Sequence, residues 1–253
     1  MSTTIASPRT HDRALPYTGR RVVAMLLLRT VLFALFQAII AGALALGGAD
    51  DPLAASAAWW PLAASAANLV NLGVLARLAR LEGCALRSIY VPQRATWKRD
   101  ALTALGAVVI AAPVSMAPNL GLATLLFGDP QVALDMFVQP LPLWAAIASV
   151  VLFPITIALT ELPTYYWYVQ PRLTALAGSA WVGVIAAAFF HAVQHAALPF
   201  ILDPSFLLWR ALMFLPFALL VALVIRWRPS VLPYLLVVHF AIDMPVALMV
   251  LSA

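Results

Sequence analysis

Ionisable side chains inside apolar runs are the part of this sequence that can do chemistry. They are Arg29, Glu161, His191, His195, Arg210, His239 and Asp243, and only His11 among the histidines lies elsewhere. Each costs a few kcal/mol in a hydrocarbon layer, so each is a functional hypothesis by default. All but Arg29 fall in the second half of the chain. His191 and His195 are four residues apart, as are His239 and Asp243, so each pair shares one helix face. A glutamate and a histidine holding the same water make a general base. A second histidine, with a polar partner one turn on, can donate to a developing oxyanion. Together these would form a hydrolase that needs no serine, cysteine or metal, and no cofactor is expected. Zinc is the rival chemistry, because His, Glu and Asp all ligate it. The H-E-x-x-H signature is absent, however, and His191-Ala-Val-Gln-His195 lacks its Glu.

The elements that must position these residues are membrane helices. Of the 253 residues 64% are hydrophobic and only 10% charged, against about 25% charged in a soluble domain. Too few polar side chains remain to cover a globule in water. Apolar runs long enough for a roughly 30 Å hydrocarbon layer cover 22–47, 57–79, 101–127, 142–168, 177–199, 205–226 and 230–250. The expected fold is an all-α, polytopic transmembrane bundle. Arg9, Arg13, Arg20 and Arg21 precede the first run, which is too long for a signal-peptide core and reads as a retained span. Pro113 and Pro118 should break or kink the third span. The single cysteine, Cys84, forms no internal disulfide.

Charge sets the orientation. The tail and the loops carrying Arg77, Arg80, Arg87, Arg94, Lys98 and Arg99, then Arg172, then Arg226 and Arg228 are basic. The alternating loops carry Asp50 and Asp51, Asp129 and Asp135, and Asp203. Basic loops stay cytoplasmic, so the reading is N-in and C-out. The excess of +5 is thus spent on topology and implies no nucleic acid. Segment 80–99 reads as a basic loop, with a short interfacial helix as the alternative. The chain divides into a basic cytoplasmic tail, 1–21; N-terminal transmembrane helices, 22–141, with the cytoplasmic loop 77–100; and a transmembrane region bearing the reactive residues, 142–253. Its place is a bacterial cell membrane, in contact with the lipid bilayer.

Depth brings the reactive residues together. If the hairpin between the fourth and fifth spans turns near Gly178, Glu161 and His195 are equally far from it, at about 25 Å. His239 lies about 16 Å above a turn near Arg228. The heights agree if the first hairpin protrudes by about 10 Å, with Tyr165, Tyr166, Trp167 and Tyr168 leaving through the interface where aromatic rings collect.

The order of these motifs resembles that of the CPBP family of intramembrane proteases, which includes CAAX prenyl endopeptidases and bacteriocin-processing or immunity proteins. Glu161-Leu-Pro-Thr-Tyr-Tyr166, followed by Gln-Pro171-Arg172-Leu173, is similar to the family's E-E-x-x-x-R segment. His191-Ala-Val-Gln-His195 stands for F-x-x-x-H, and His239-Phe-Ala-Ile-Asp243 for the closing H-x-x-x-N or H-x-x-x-D. The likeness covers residues 142–250. Leu162 replaces the second glutamate, Tyr166 the arginine and His191 the phenylalanine. The resemblance implies a membrane-embedded endopeptidase acting on a hydrophobic or membrane-associated peptide. Glu161 would activate water with His195, and His239 and Asp243 would stabilise the oxyanion. His191 and Tyr166 have supporting parts. The departures keep open an inactive relative serving as an immunity or assembly factor. A proton-coupled transporter remains the reading from another class. Arg29 and Arg210 read as snorkelling side chains, Asn68 and Asn71 as packing contacts, and Tyr166 as an interfacial aromatic.

Overall fold

The structure is a computed structural model that describes residues 17–253. Arg9, His11 and Arg13, with most of the basic tail, lie outside the described residues. Among those residues every regular element is helical. The order is α1 (Gly19–Leu46), α2 (Pro52–Ala57), α3 (Trp60–Leu81), a 3₁₀ turn (Leu86–Tyr90), α4 (Trp97–Phe127) and α5 (Pro130–Phe137). Then come α6 (Leu143–Leu162), a π-helical segment (Pro163–Val169), α7 (Gln170–Ala177), α8 (Ala180–Val193) and a 3₁₀ turn (Gln194–Ala197). The chain ends with α9 (Pro204–Leu212), α10 (Leu215–Trp227), a turn at Pro229–Val231 and α11 (Leu232–Ser252). Seven of these helices or continuous helical stretches are long and apolar enough to cross a membrane. The chain is a multi-pass membrane protein. Large apolar side chains point outward in stripes such as Val23, Leu27, Val31, Leu35 and Ile39 on α1. A soluble protein does not leave such stripes uncovered.

The fourth span is longer than expected. It runs on from α6 through the π-helical segment and α7 to Ala177. Pro163 has no N–H to give to Leu159 O, and the Tyr90 hydroxyl donates to that carbonyl at 2.8 Å instead. Burial pushes the Tyr90 hydroxyl up to about 12, so it remains a donor at any physiological pH. The tight hairpin from α7 into α8 needs two glycines. Gly178 turns the chain at φ 63°. A Cβ on Gly183 would lie 2.1 Å from Thr174 Oγ1 and 2.5 Å from Gln170 O.

Two expectations are corrected. Pro113 and Pro118 lie inside one unbroken α4, each removing a single N–H donor without ending the helix. Segment 80–99 is, between α3 and α4, the expected loop, with one 3₁₀ turn pinned by buried Ile89. Arg172 is no exposed loop base. Its Nη2 donates to Glu82 Oε2 at 2.5 Å, and Glu82 also accepts from Tyr168, which ties the end of α3 to α7.

A buried polar layer splits the apolar core in two. Met25, Leu26, Leu75, Leu162 and Leu235 belong to one cluster, and Leu32, Phe33, Ala64, Ile157 and Ala247 to the other. On α1, α3, α6 and α11 the residues between the clusters are Arg29, Asn68, Glu161 and His239. The reactive residues therefore share one level of the bundle.

Candidate active site

Glu161 ends α6 and is 2% exposed. Its Oε2 accepts from Arg29 Nη2 at 3.1 Å and from Gln194 Nε2 at 2.9 Å. Its Oε1 lies 3.0 Å from His191 Nε2 and 3.6 Å from His239 Nε2. Since a carboxylate only accepts, the proton of neutral His191 belongs on Nε2. Nδ1 then lies 2.5 Å from the Tyr166 hydroxyl, whose single proton is shared between Nδ1 and Ala218 O on α10, 3.0 Å away. This tautomer is assigned from its partners. It gives a relay from Tyr166 through His191 to Glu161 with no added charge.

His195 lies on the 3₁₀ turn after α8. Its Nδ1 faces Ala192 O at 3.1 Å, so Nδ1 carries the proton and Nε2 is left as an acceptor. One ligand atom from each of Glu161, His191 and His195 lies within 4.8 Å of the others. Two acceptors that close can take the two protons of a single water at about 2.8 Å each. The oxygen lone pair of that water is then turned outward. His239 Nε2 is 3.1 Å from Asp243 Oδ2, without the alignment of a hydrogen bond. Among the described residues His239 Nδ1 and Asp243 Oδ2 make no hydrogen bond. Glu161, His191, His195, His239 and Asp243 all line one cavity of about 430 Å³. Its other walls are mostly apolar, with Phe153, Ile157, Met213, Phe214 and Phe217 among them.

Glu161, His191 and His195 could also ligate a metal. Against a dication there stand the Arg29 cation on the other carboxylate oxygen and the His191 N–H already directed at Oε1.

The structure brings together Glu161, His195, His239, Asp243, His191 and Tyr166. It corrects the reading of several neighbours. Arg29 does not snorkel. It is fully buried about 15 Å along α1, and it donates to Gln194 Oε1, Asn68 Oδ1, Thr160 Oγ1 and Glu161 Oε2. Asn68 is thus a partner of that cation rather than a packing contact, and Asn71 donates to Thr164 Oγ1. Arg210 is 3% exposed and lines the cavity. Tyr165, Tyr166 and Tyr168 are buried, and only Trp167 of that run is half-buried. The π-helical winding continues the span, so these rings enter the core and each hydroxyl finds an acceptor. Gln37 and Gln194 escaped the sequence reading. Gln37 clamps both Phe200 N and Phe200 O at 2.7 Å, which fixes the loop after His195.

Comparison with known protein families, with curated proteins and with solved structures finds no match for this chain.

Proposed function

We propose that this protein is an intramembrane endopeptidase that hydrolyses a hydrophobic or membrane-associated peptide. The observation that carries the reading is that Glu161, His195 and His239 line one cavity, with ligand atoms of Glu161 and His195 within 4.8 Å of each other. A water donating to Glu161 and His195 attacks the scissile carbonyl. Its oxygen bonds to the carbonyl carbon, and the carbonyl π pair moves onto oxygen beside His239. Arg29 and Gln194 occupy Oε2, so the water's proton goes to Oε1 of Glu161. The intermediate collapses with cleavage of the C–N bond, and that proton leaves with the amine. His239, placed by Asp243, steadies the oxyanion, while His191 and Tyr166 hold Glu161 in place. The CPBP-like motif order supports the same reading.

The charge distribution supports the N-in, C-out orientation in a bacterial inner membrane. Among the described residues, every Lys and Arg outside the apolar runs falls at one end of the seven spans, and Asp50, Asp51, Asp129, Asp135 and Asp203 fall at the other. Exposed Trp97, Trp181 and Trp227 stand at the basic end and Trp144 opposite, as an aromatic belt requires.

Glu161→Gln tests the activity. The amide keeps the shape but cannot take the water's proton, so cleavage of the substrate should be abolished at unchanged membrane abundance. A strong chelator should leave wild-type cleavage unaltered; loss restored by zinc would turn the reading to a metalloenzyme. One observation favours a non-catalytic scaffold, namely that Glu161 is already ion-paired with Arg29. Full complementation of a loss-of-function strain by Glu161→Gln would establish that reading instead.

A further inference from the structure

We propose that Arg210 binds a carboxylate of the peptide that enters the cavity, an inference that rests on the peptidase reading above. Arg210 sits on α9 with 3% of its surface exposed. Its Nε donates to His195 O at 3.3 Å and its Nη2 to Leu198 O at 2.7 Å. A guanidinium has five N–H donors. The two on Nη1 and one on Nη2 have no acceptor among the described residues, and no carboxylate there pairs with the cation. The rings of Phe137 and Phe214 stand 4.4 and 5.5 Å from Cζ. They stabilise the charge from the side but accept none of these protons. An ionisable group at membrane depth is normally paired. This one instead faces the same cavity as Glu161 and His195.

The missing partner is supplied by the occupant. Arginine suits a carboxylate because its fork can give two parallel bonds. Arg210 holds the backbone of the turn that carries His195, so the carboxylate lies close to the bond being cut. It is either the free C-terminus of the peptide or an acidic side chain next to the scissile bond. The cavity volume, about 430 Å³, is at the small end for ligand pockets. It takes a few residues and not a whole spanning helix. Selection of a short, apolar, acid-bearing segment follows from its size and its charge together.

The test is binding of synthetic apolar tetrapeptides to the full chain in detergent micelles. The Glu161→Gln variant is used so that no turnover intervenes, with Trp209 fluorescence as the reporter. The set holds a free C-terminal carboxylate, its C-terminal amide, and C-terminal amides carrying an internal Glu or Gln. One or both acidic peptides should bind roughly ten- to hundredfold more tightly than their neutral partners. The favoured pair tells the C-terminus from the side chain. Adding Arg210→Gln should bring the ratio to about one, and Arg210→Lys should retain part of it. A purely structural Arg210 would weaken acidic and neutral peptides alike and leave the ratio intact, which overturns the proposal. Equal binding of acidic and neutral peptides overturns it without any Arg210 variant. Failure of the wild-type chain to cleave any peptide that binds it would sink the peptidase reading and leave these ratios measurable.

Discussion

Arg29 and Arg210 are both buried cations in membrane helices, and their surroundings differ in kind. Arg29 is enclosed by α1, α3, α6 and the turn after α8, where Gln194, Asn68, Thr160 and Glu161 all accept from it. Asn68 and Gln194 have further partners of their own in Thr156, Tyr165 and Glu161. On the cavity side, Arg210 keeps unused donors, while His239 Nδ1 and Asp243 Oδ2 have no hydrogen bond among the described residues. Unmet polar atoms in a low-dielectric interior are costly. Such orphans are not confined to the cavity, since Asn71 Oδ1 and Gln170 Oε1 also lack a partner; what sets the cavity side apart is the unpaired Arg210 cation. The closed half builds the bundle, and the open half is where the proposed chemistry would take place.

The largest effect that would break this contrast comes from Arg29. Replacing it with Leu leaves the Glu161 carboxylate buried without its counter-ion and several acceptors without a donor. Loss of one member of a buried ion pair costs about 3–5 kcal/mol. Arg29→Leu should therefore fall sharply in unfolding assays in micelles and in membrane abundance. The double variant Arg29→Leu/Glu161→Leu should recover much of that stability while remaining inactive. An Arg29→Leu protein as stable as wild type would return Arg29 to the snorkelling role.

His239→Ala should show the opposite profile. Its ring lines the cavity and its buried Nδ1 makes no hydrogen bond among the described residues, so its removal should shift unfolding far less than Arg29→Leu. The rate should drop by about 10²–10³, as for loss of one oxyanion donor. If stability collapses and residual activity per folded molecule is normal, His239 belongs with the closed half.

The two halves were not equally legible in the sequence. His191 with His195, and His239 with Asp243, stand out because histidine and aspartate are rare in apolar runs and sit one turn apart. Gly178 marks the hairpin that sets Glu161 level with His195. Arg29 was misread because its carboxylate is 132 positions away, and hydropathy does not say which helices touch. Its other partners are Asn, Gln and Thr, which are cheap enough in apolar runs to carry little signal. Thr156, Thr160 and Thr164, four apart and facing Asn68 and Asn71, were the stripe that could have revealed the closed half. The aromatic run misled for a different reason. A span normally ends at such a run, whereas Pro163 and the π-helical segment carry this one onward through the core.

Tyr166→Phe is the smallest and sharpest probe, because only the hydroxyl is removed. An interfacial tyrosine would lose its hydroxyl at almost no cost. The buried Tyr166 bonds His191 Nδ1 and Ala218 O, and its loss leaves Nδ1 buried with no partner. That costs about 1–3 kcal/mol. Glu161 still holds the His191 proton on Nε2, so the tautomer survives and the rate should fall by less than for His239→Ala. Tyr165→Phe is the control. Its hydroxyl donates to Gln194 Oε1, which also accepts from Arg29 Nε at 2.8 Å. That oxygen is never orphaned, so Tyr165→Phe should cost less than Tyr166→Phe in the same unfolding assay. Equal losses would mean that His191 Nδ1 has another donor and that the relay does not end at Tyr166.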